Sequence, residues 1–348
     1  MTQARLLTPL AVAAAIVTGS LIPARAQITW TNYTTANGLG SNTAYGVYAA
    51  GGTVYAATSG GLGISTNMGT SWTNRNTSNG LGSNTVWGVY AAGSTIYAAT
   101  IGGGLGVSTT GGASWTNYTT GSGLGSNNVW GVYAAGSTIY AATQGGMSIS
   151  TNSGTNWTNY TTTNGLGNNF VSGVYAAGGT IYAATSGGVS TSTNGGTSWI
   201  TYNTGSGLGS DTVRGVYAAG STIYAATQGG GLSISTNNGL NWTTIGTTSG
   251  LGSNDVRSVY ASGSTIYAAS AGGGLNISDD SGATWTIYTT ANGLGNDVVY
   301  GVYADDSGIY AATGGGLSVA AVPEPSTYAM ALAGLVCGGW HLRRRRRA

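Results

Sequence analysis

Seven tryptophans at near-constant spacing, seven Val-Tyr-Ala runs in the same phase, and four strand-like segments per unit predict an all-β chain folded as a seven-bladed β-propeller. Trp30, Trp72, Trp115, Trp157, Trp199, Trp242 and Trp285 are separated by 42 or 43 residues throughout. Val-Tyr-Ala begins at Val47, Val89, Val132, Val174, Val216, Val259 and Val302. Four antiparallel strands in about 40 to 45 residues is the period of one propeller blade.

Within one unit, Val129 to Thr162, the chain reads VWGVYAAG, STIYAATQ, GGMSIST, NSGTN and WTNYTT. The runs rich in Tyr and β-branched residues suit strands, and the Gly- and Asn-rich steps between them suit hairpin turns. Consecutive apolar residues, as in Val-Tyr-Ala-Ala and Ile-Tyr-Ala-Ala, predict strands buried on both faces, because each blade lies between two neighbours. The repeats begin at Ile28-Thr29-Trp30, which is a fourth strand, and stop at Leu317-Ser318-Val319, which is a third. The entering strand is therefore expected to complete the last blade and close the ring.

Composition removes whole classes of function. The 348 residues contain 64 Gly but no Lys, and only about 5% are charged. Between the two ends lie seven Asp and three Arg (Arg75, Arg214, Arg257), so the body carries about −4. That balance argues against nucleic-acid binding, which needs clustered cations to neutralise phosphates. Cys337 and His341, the only residues of their kinds, both fall in the last dozen positions. The body therefore lacks the means for disulfides, Cys or Ser-His-Asp catalysis, zinc or haem, and neither a cofactor nor a metal site is expected.

Both ends read as addresses. Residues 1–26 have Arg5, an apolar stretch from Leu6 to Val17 and an Ala24-Arg25-Ala26 cleavage site, the pattern of a signal peptide removed by signal peptidase. The propeller is assigned to residues 27–321 and a C-terminal segment to 322–348. In that segment Val322-Pro323-Glu324-Pro325-Ser326 precedes an apolar run from Tyr328 to Leu342 and then five Arg. The run suits a transient membrane helix whose Arg end stays cytoplasmic, and membrane contact is expected only through this tail before processing. The segment resembles the PEP-CTERM sorting tail of Gram-negative bacteria. The resemblance implies recognition by an exosortase-type enzyme, cleavage near Pro323-Glu324-Pro325, and delivery to the cell surface or extracellular matrix.

Two further resemblances concern the repeats. Ser278-Asp279-Asp280-Ser281-Gly282-Ala283-Thr284-Trp285, with Asn at 67, 152, 194 and 237 in place of Asp280, resembles the Asp-box of BNR repeats. The acidic or amide side chain is expected to bond turn amides, the Gly to take a positive φ, and the Trp to cover the hairpin. Thr110 departs from the pattern, so its turn is expected to be less well specified. The segment from Asn292-Gly293-Leu294-Gly295 to Gly315-Gly316-Leu317 resembles the two-component-regulator propeller repeat and implies a sensory-type propeller shape.

The Asp-box invites a sialidase reading, but the body has no Glu before Glu324 and no matching arginine cluster. A glycan-active hydrolase or lyase remains the alternative to a binding protein, with Asp211, Asp255 and Asp297 as candidate rim carboxylates. No catalytic residue is assigned. One position instead varies in chemistry between units while its flanks barely change (Ser258 replaces Gly after Arg257): Tyr45, Trp87, Trp130, Ser172, Arg214, Arg257 and Tyr300. Near the start of an innermost strand, these side chains are expected to ring the axis. Aromatic faces suit sugars and Arg suits carboxylate or sulfate, so the ring (Tyr45, Trp87, Trp130, Arg214, Arg257, Tyr300) is expected to bind an acidic exopolysaccharide or a surface protein.

Overall fold

The computed structural model describes residues 28–321. The expected signal peptide (1–26), Pro323, Glu324, Pro325 and the apolar tail lie outside the described residues. Seven four-stranded antiparallel sheets are arranged as blades around an axis. Their inner strands, numbered blades 1 to 7, are Ala44–Ala50, Val86–Ala92, Val129–Ala135, Val171–Ala177, Val213–Ala219, Val256–Ser262 and Val299–Asp305. In blade 1 the meander continues outward through Thr53–Thr58, Gly61–Ser65 and the three-residue Thr73–Arg75.

The expected closure is present. The N-terminal strand Thr31–Tyr33 pairs antiparallel with Gly316–Ala320, setting Asn32 opposite Ser318, so the last blade takes its outer strand from the start of the chain. Tyr33 then donates to the Met68 carbonyl of blade 1 at 3.2 Å, and Tyr118 and Tyr202 make the same reach to Ser153 and Asn238 in the following blades.

The core is a set of layers between blades. Tyr55, Ala57 and Leu62 of blade 1 pack on Val86, Ile96 and Ala98 of blade 2, and each later interface repeats the arrangement. Ala56 and Ala57 are both fully buried, which requires contact on both faces of the strand. The buried hydroxyl of Thr58 donates to Gly61 O at 2.7 Å, and Thr or Ser at the matching place stitches this hairpin in every blade. Near the axis the inner strands converge so closely that a Cβ on Gly46 would sit 2.8 Å from the Trp87 carbonyl.

The Asp-box turns form as expected. In blade 1, Asn67 Oδ1 accepts from Ser71 N at 2.9 Å, Ser65 Oγ accepts from Gly69 N at 2.8 Å, and Gly69 has φ 92°. Thr110 corrects one expectation. Its hydroxyl accepts from Ser114 N at 2.9 Å, the same bond that Asn67 makes, so this turn is as fully specified as the others. The Gly-Leu-Gly loops at the other end each contain a short 3-10 turn, and the Leu is buried in every one, from Leu39 to Leu294. Among the described residues no helix is long and apolar enough to cross a membrane.

Candidate functional site at the axial mouth

Each inner strand carries a β-bulge at the same place. Pairing with the second strand shifts between Ala44 and Gly46, and likewise across Trp87, Trp130, Ser172, Arg214, Arg257 and Tyr300. The variable residue is thus the extra, unpaired one. A bulge frees a side chain from the ladder and re-aims it, which explains why this position changes chemistry without disturbing the blade. All seven side chains meet around one mouth of the axial channel.

The aromatic sector packs on itself. Tyr45 and Trp87 stack with ring centroids 4.3 Å apart and planes 17° from parallel. Trp87 meets Trp130 edge-on at 4.7 Å, and Tyr45 meets Tyr300 edge-on at 5.4 Å across the junction of blades 7 and 1. Phe170 extends the wall, 5.2 Å from Trp130. The flat faces expected to receive sugar rings are therefore turned largely toward one another. The space enclosed among them is about 50 Å³, room for a carboxylate- or sulfate-sized group but not a sugar ring. Below it the channel widens to about 220 Å³, lined by Gly and Val of the inner strands.

The cationic sector is different. Arg214 and Arg257 occupy neighbouring blades, and among the described residues one carboxylate is paired with them: Asp255, 3.2 Å from Arg257. Arg214 donates to Gln228, and the Arg257 guanidinium lies 5.5 Å from the Tyr300 ring centroid. Burial, and then the like charge of Arg257, pull the Arg214 guanidinium below its ordinary pKa, though an arginine stays cationic. The Nε atoms of both arginines are buried without a hydrogen-bond partner. Ser172 completes the ring, its hydroxyl 2.7 Å from the Val213 carbonyl.

Two of the candidate rim carboxylates have turn roles. Asp211 accepts from Thr204 N and Asp297 from Thr290 N, both at 2.7 Å, the bond that Asn42, Asn84, Asn127, Asn169 and Asn254 make in the other loops. Only Asp255 reaches the arginines. Phe170 and Asp255 occupy the position two before the ring residue, which also varies between units, and Gln228 follows the second strand. Variation in those two columns is the signal in the sequence that marks Phe170 and Gln228, while Asp255 is already one of the candidate carboxylates.

At the opposite end a second ring appears that sequence reading did not anticipate. Tyr48, Tyr90, Tyr133, Tyr175, Tyr217, Tyr260 and Tyr303 form a closed collar, with successive centroids 4.7 to 5.1 Å apart. Burial first, then neighbouring phenols, push Tyr48 and Tyr303 up to about 12, and Tyr90 and Tyr175 further.

These features define a closed seven-bladed propeller with a cationic notch in its axial mouth. Residues 321–347 match the PEP-CTERM protein-sorting motif, so the propeller carries a C-terminal address for export and exosortase processing to the surface. A search of curated proteins by sequence finds no match. Among solved structures, the chain is similar to the extracellular domain of a hybrid two-component system from B. thetaiotaomicron, with TM-score 0.70 and 19% identity over 85% of this chain and 42% of that one. It is also similar to YCF48 bound to D1 peptide (TM-score 0.63, 16% identity, 86% of this chain and 98% of that one). An ancestral GH74 enzyme matches with TM-score 0.56 and 20% identity over 71% of this chain and 37% of that one. At such identities the likeness is one of fold. The chain spans less than half of the first of these structures.

Proposed function

We propose that this is a non-enzymatic, exported propeller of the cell surface or extracellular matrix that holds an acidic exopolysaccharide at its axial mouth. Arg214 and Arg257 receive a carboxylate or sulfate substituent, while Tyr45, Trp87, Trp130 and Tyr300 form the wall against which the polymer lies. One observation carries the reading: two guanidinium groups from neighbouring blades line one narrow mouth, and among the described residues a single carboxylate, Asp255, is paired with one of them. A second anionic group would balance the charge, and Arg is suited to bidentate contact with carboxylate or sulfate.

In this reading signal peptidase removes residues 1–26, the propeller occupies 27–321, and the segment 322–348 holds the chain briefly in the inner membrane of a Gram-negative cell. An exosortase-type enzyme then acts near Pro323-Glu324-Pro325. The extracellular location of the similar B. thetaiotaomicron domain supports the address. The enzymatic alternative needs two carboxylates facing across a bond, and the turn roles of Asp211 and Asp297 weigh against it.

Co-sedimentation with the producer's own exopolysaccharide tests the proposal. The double substitution Arg214→Gln and Arg257→Gln is expected to abolish co-sedimentation. Equal recovery of the double variant would sink the reading, and new reducing or unsaturated ends would favour the enzyme instead.

A further inference from the structure

The sevenfold repeat contains its own control experiment. At the end opposite the arginines, a Tyr of each inner strand and its paired Tyr of the second strand share one face of the blade, as Tyr260 and Tyr267 do with centroids 6.3 Å apart. The residues that face this pair across the interface come from the end of the next inner strand. In six blades these are small and neutral: Ala50-Gly51, Ala92-Gly93, Ala135-Gly136, Ala177-Gly178, Ala219-Gly220 and Ser262-Gly263. In blade 7 they are Asp305-Asp306.

Between blades 6 and 7 these groups enclose an open cavity of about 340 Å³, lined by Tyr260, Tyr267, Ser262, Thr265, Asp305 and Asp306. Asp305 Oδ1 is fixed by Ser307 N at 2.9 Å and Gly308 N at 3.1 Å, so the carboxylate is held at the cavity rim. Asp306 is exposed, and neither Asp forms an ion pair with a described residue. The Tyr260 phenol is raised by burial, then by Tyr175, Tyr267 and Asp305, which agrees with a negative charge near the aromatic wall.

We propose that this cavity is a binding site for an organic ammonium group, held between the Tyr260 ring and the Asp305 and Asp306 carboxylates. The aromatic wall decides the chemistry. A hard divalent cation takes six to eight oxygen ligands and gains nothing from a ring face, whereas an alkylated ammonium is attracted by the ring quadrupole and loses little hydration on leaving water. The volume admits a small ammonium head with its substituents, and the open rim leaves room for whatever carries it. The site is independent of the axial mouth, at the opposite end of the inner strands.

Titration of the full chain with choline chloride, followed by calorimetry and by tyrosine fluorescence, tests the site. Saturable binding is expected, weakened about tenfold by Asp306→Asn and by Tyr260→Leu, and retained by Tyr260→Phe, which keeps the ring. Asp306→Asn alters an exposed side chain, so its fold is expected to be intact, as a thermal melt of the same sample would show. Arg214→Gln is expected to leave choline binding unchanged, which separates this site from the axial one. The proposal is overturned if choline does not saturate, if calcium chloride binds at these aspartates and choline does not, or if Asp306→Asn binds choline as the unaltered chain does.

Discussion

Ser318 donates a 2.6 Å hydrogen bond to Asn32 across 286 residues of sequence, and that contact lies in the strand pair that closes the ring. Asn32 also donates to the Gly293 carbonyl at 2.9 Å, so one side chain ties the entering strand both to its partner strand and to the loop beside it. Asn32→Ala is therefore expected to lower unfolding free energy by about 1 to 3 kcal/mol. Deleting residues 28–33 should do far more, leaving Gly316–Ala320 as an open edge prone to pairing with other chains. Chemical denaturation and light scattering on the two variants measure both effects.

The ring has separable halves. Trp87 stacks on Tyr45 and meets Trp130, so Trp87→Ala should lower stability by about 1 to 3 kcal/mol through lost packing. Arg214→Gln and Arg257→Gln should leave the melting temperature within a few degrees of the unaltered chain while removing polysaccharide retention. Melting curves run beside the sedimentation assay test the separation.

Asp280 gives the blade 6 turn an acid sensitivity that its counterparts lack. Hydrogen bonds from the Thr284 hydroxyl and amide, and from Ser278, hold its carboxyl down at about 2. A carboxyl with a lowered folded pKa contributes stability that is present above its unfolded value, about 3.9, and lost as pH falls through the folded one. Stability should therefore decline between about pH 4 and 2. Asp280→Asn, which copies the side chain of four other blades, should flatten that part of the profile.

The tyrosine collar predicts the alkaline limit. Burial raises the phenols of Tyr48, Tyr90, Tyr175, Tyr217, Tyr260 and Tyr303, so their contribution is complete below the unfolded value, about 10, and is lost as pH rises through about 12 for Tyr48 and Tyr303. Spectrophotometric titration should show these phenols ionising late, together with unfolding. Early ionisation without loss of structure would contradict the collar.

The Asp-box turns contain adjacent left-handed residues with opposite tolerances. A Cβ on Gly154, at φ 92°, would lie 2.4 Å from the Tyr118 ring, so Gly154→Ala should cost about 2 kcal/mol or more. Ser153, at φ 56°, occupies the place of Gly111 and Gly195 in other blades, and Ser153→Gly should raise stability by up to about 1 kcal/mol. Paired urea titrations check the two signs.

Much of the fold was legible because a blade is built from local pattern. The Trp and Val-Tyr-Ala series fixed the number of blades, and the phase of Ile28 and Val319 showed which strand closes them. The Asp-box turns were readable from Ser, Asn and Gly at fixed offsets, and Thr110 misled because a hydroxyl supplies the same acceptor as an amide. The site was legible only as a column of varying residues. That column contains Tyr45, Trp87, Trp130, Arg214, Arg257 and Tyr300 but not their companions Phe170 and Gln228, which stand at other positions of the repeat and reach the mouth only through the folding of the blades.

The sequence by itself determined a charge-poor, sevenfold β chain with a sorting tail, because strand period, turn chemistry and targeting signals act over a few neighbouring residues. Tertiary structure alone decided what the variable side chains do. Each ring residue comes from a different blade, about 42 residues from the next, and their neighbours are set by the closure of the ring. Closure turned Tyr45 and Trp87 face to face, gathered seven tyrosines into a collar, brought two arginines together, and set Asp305 and Asp306 against one tyrosine pair out of seven.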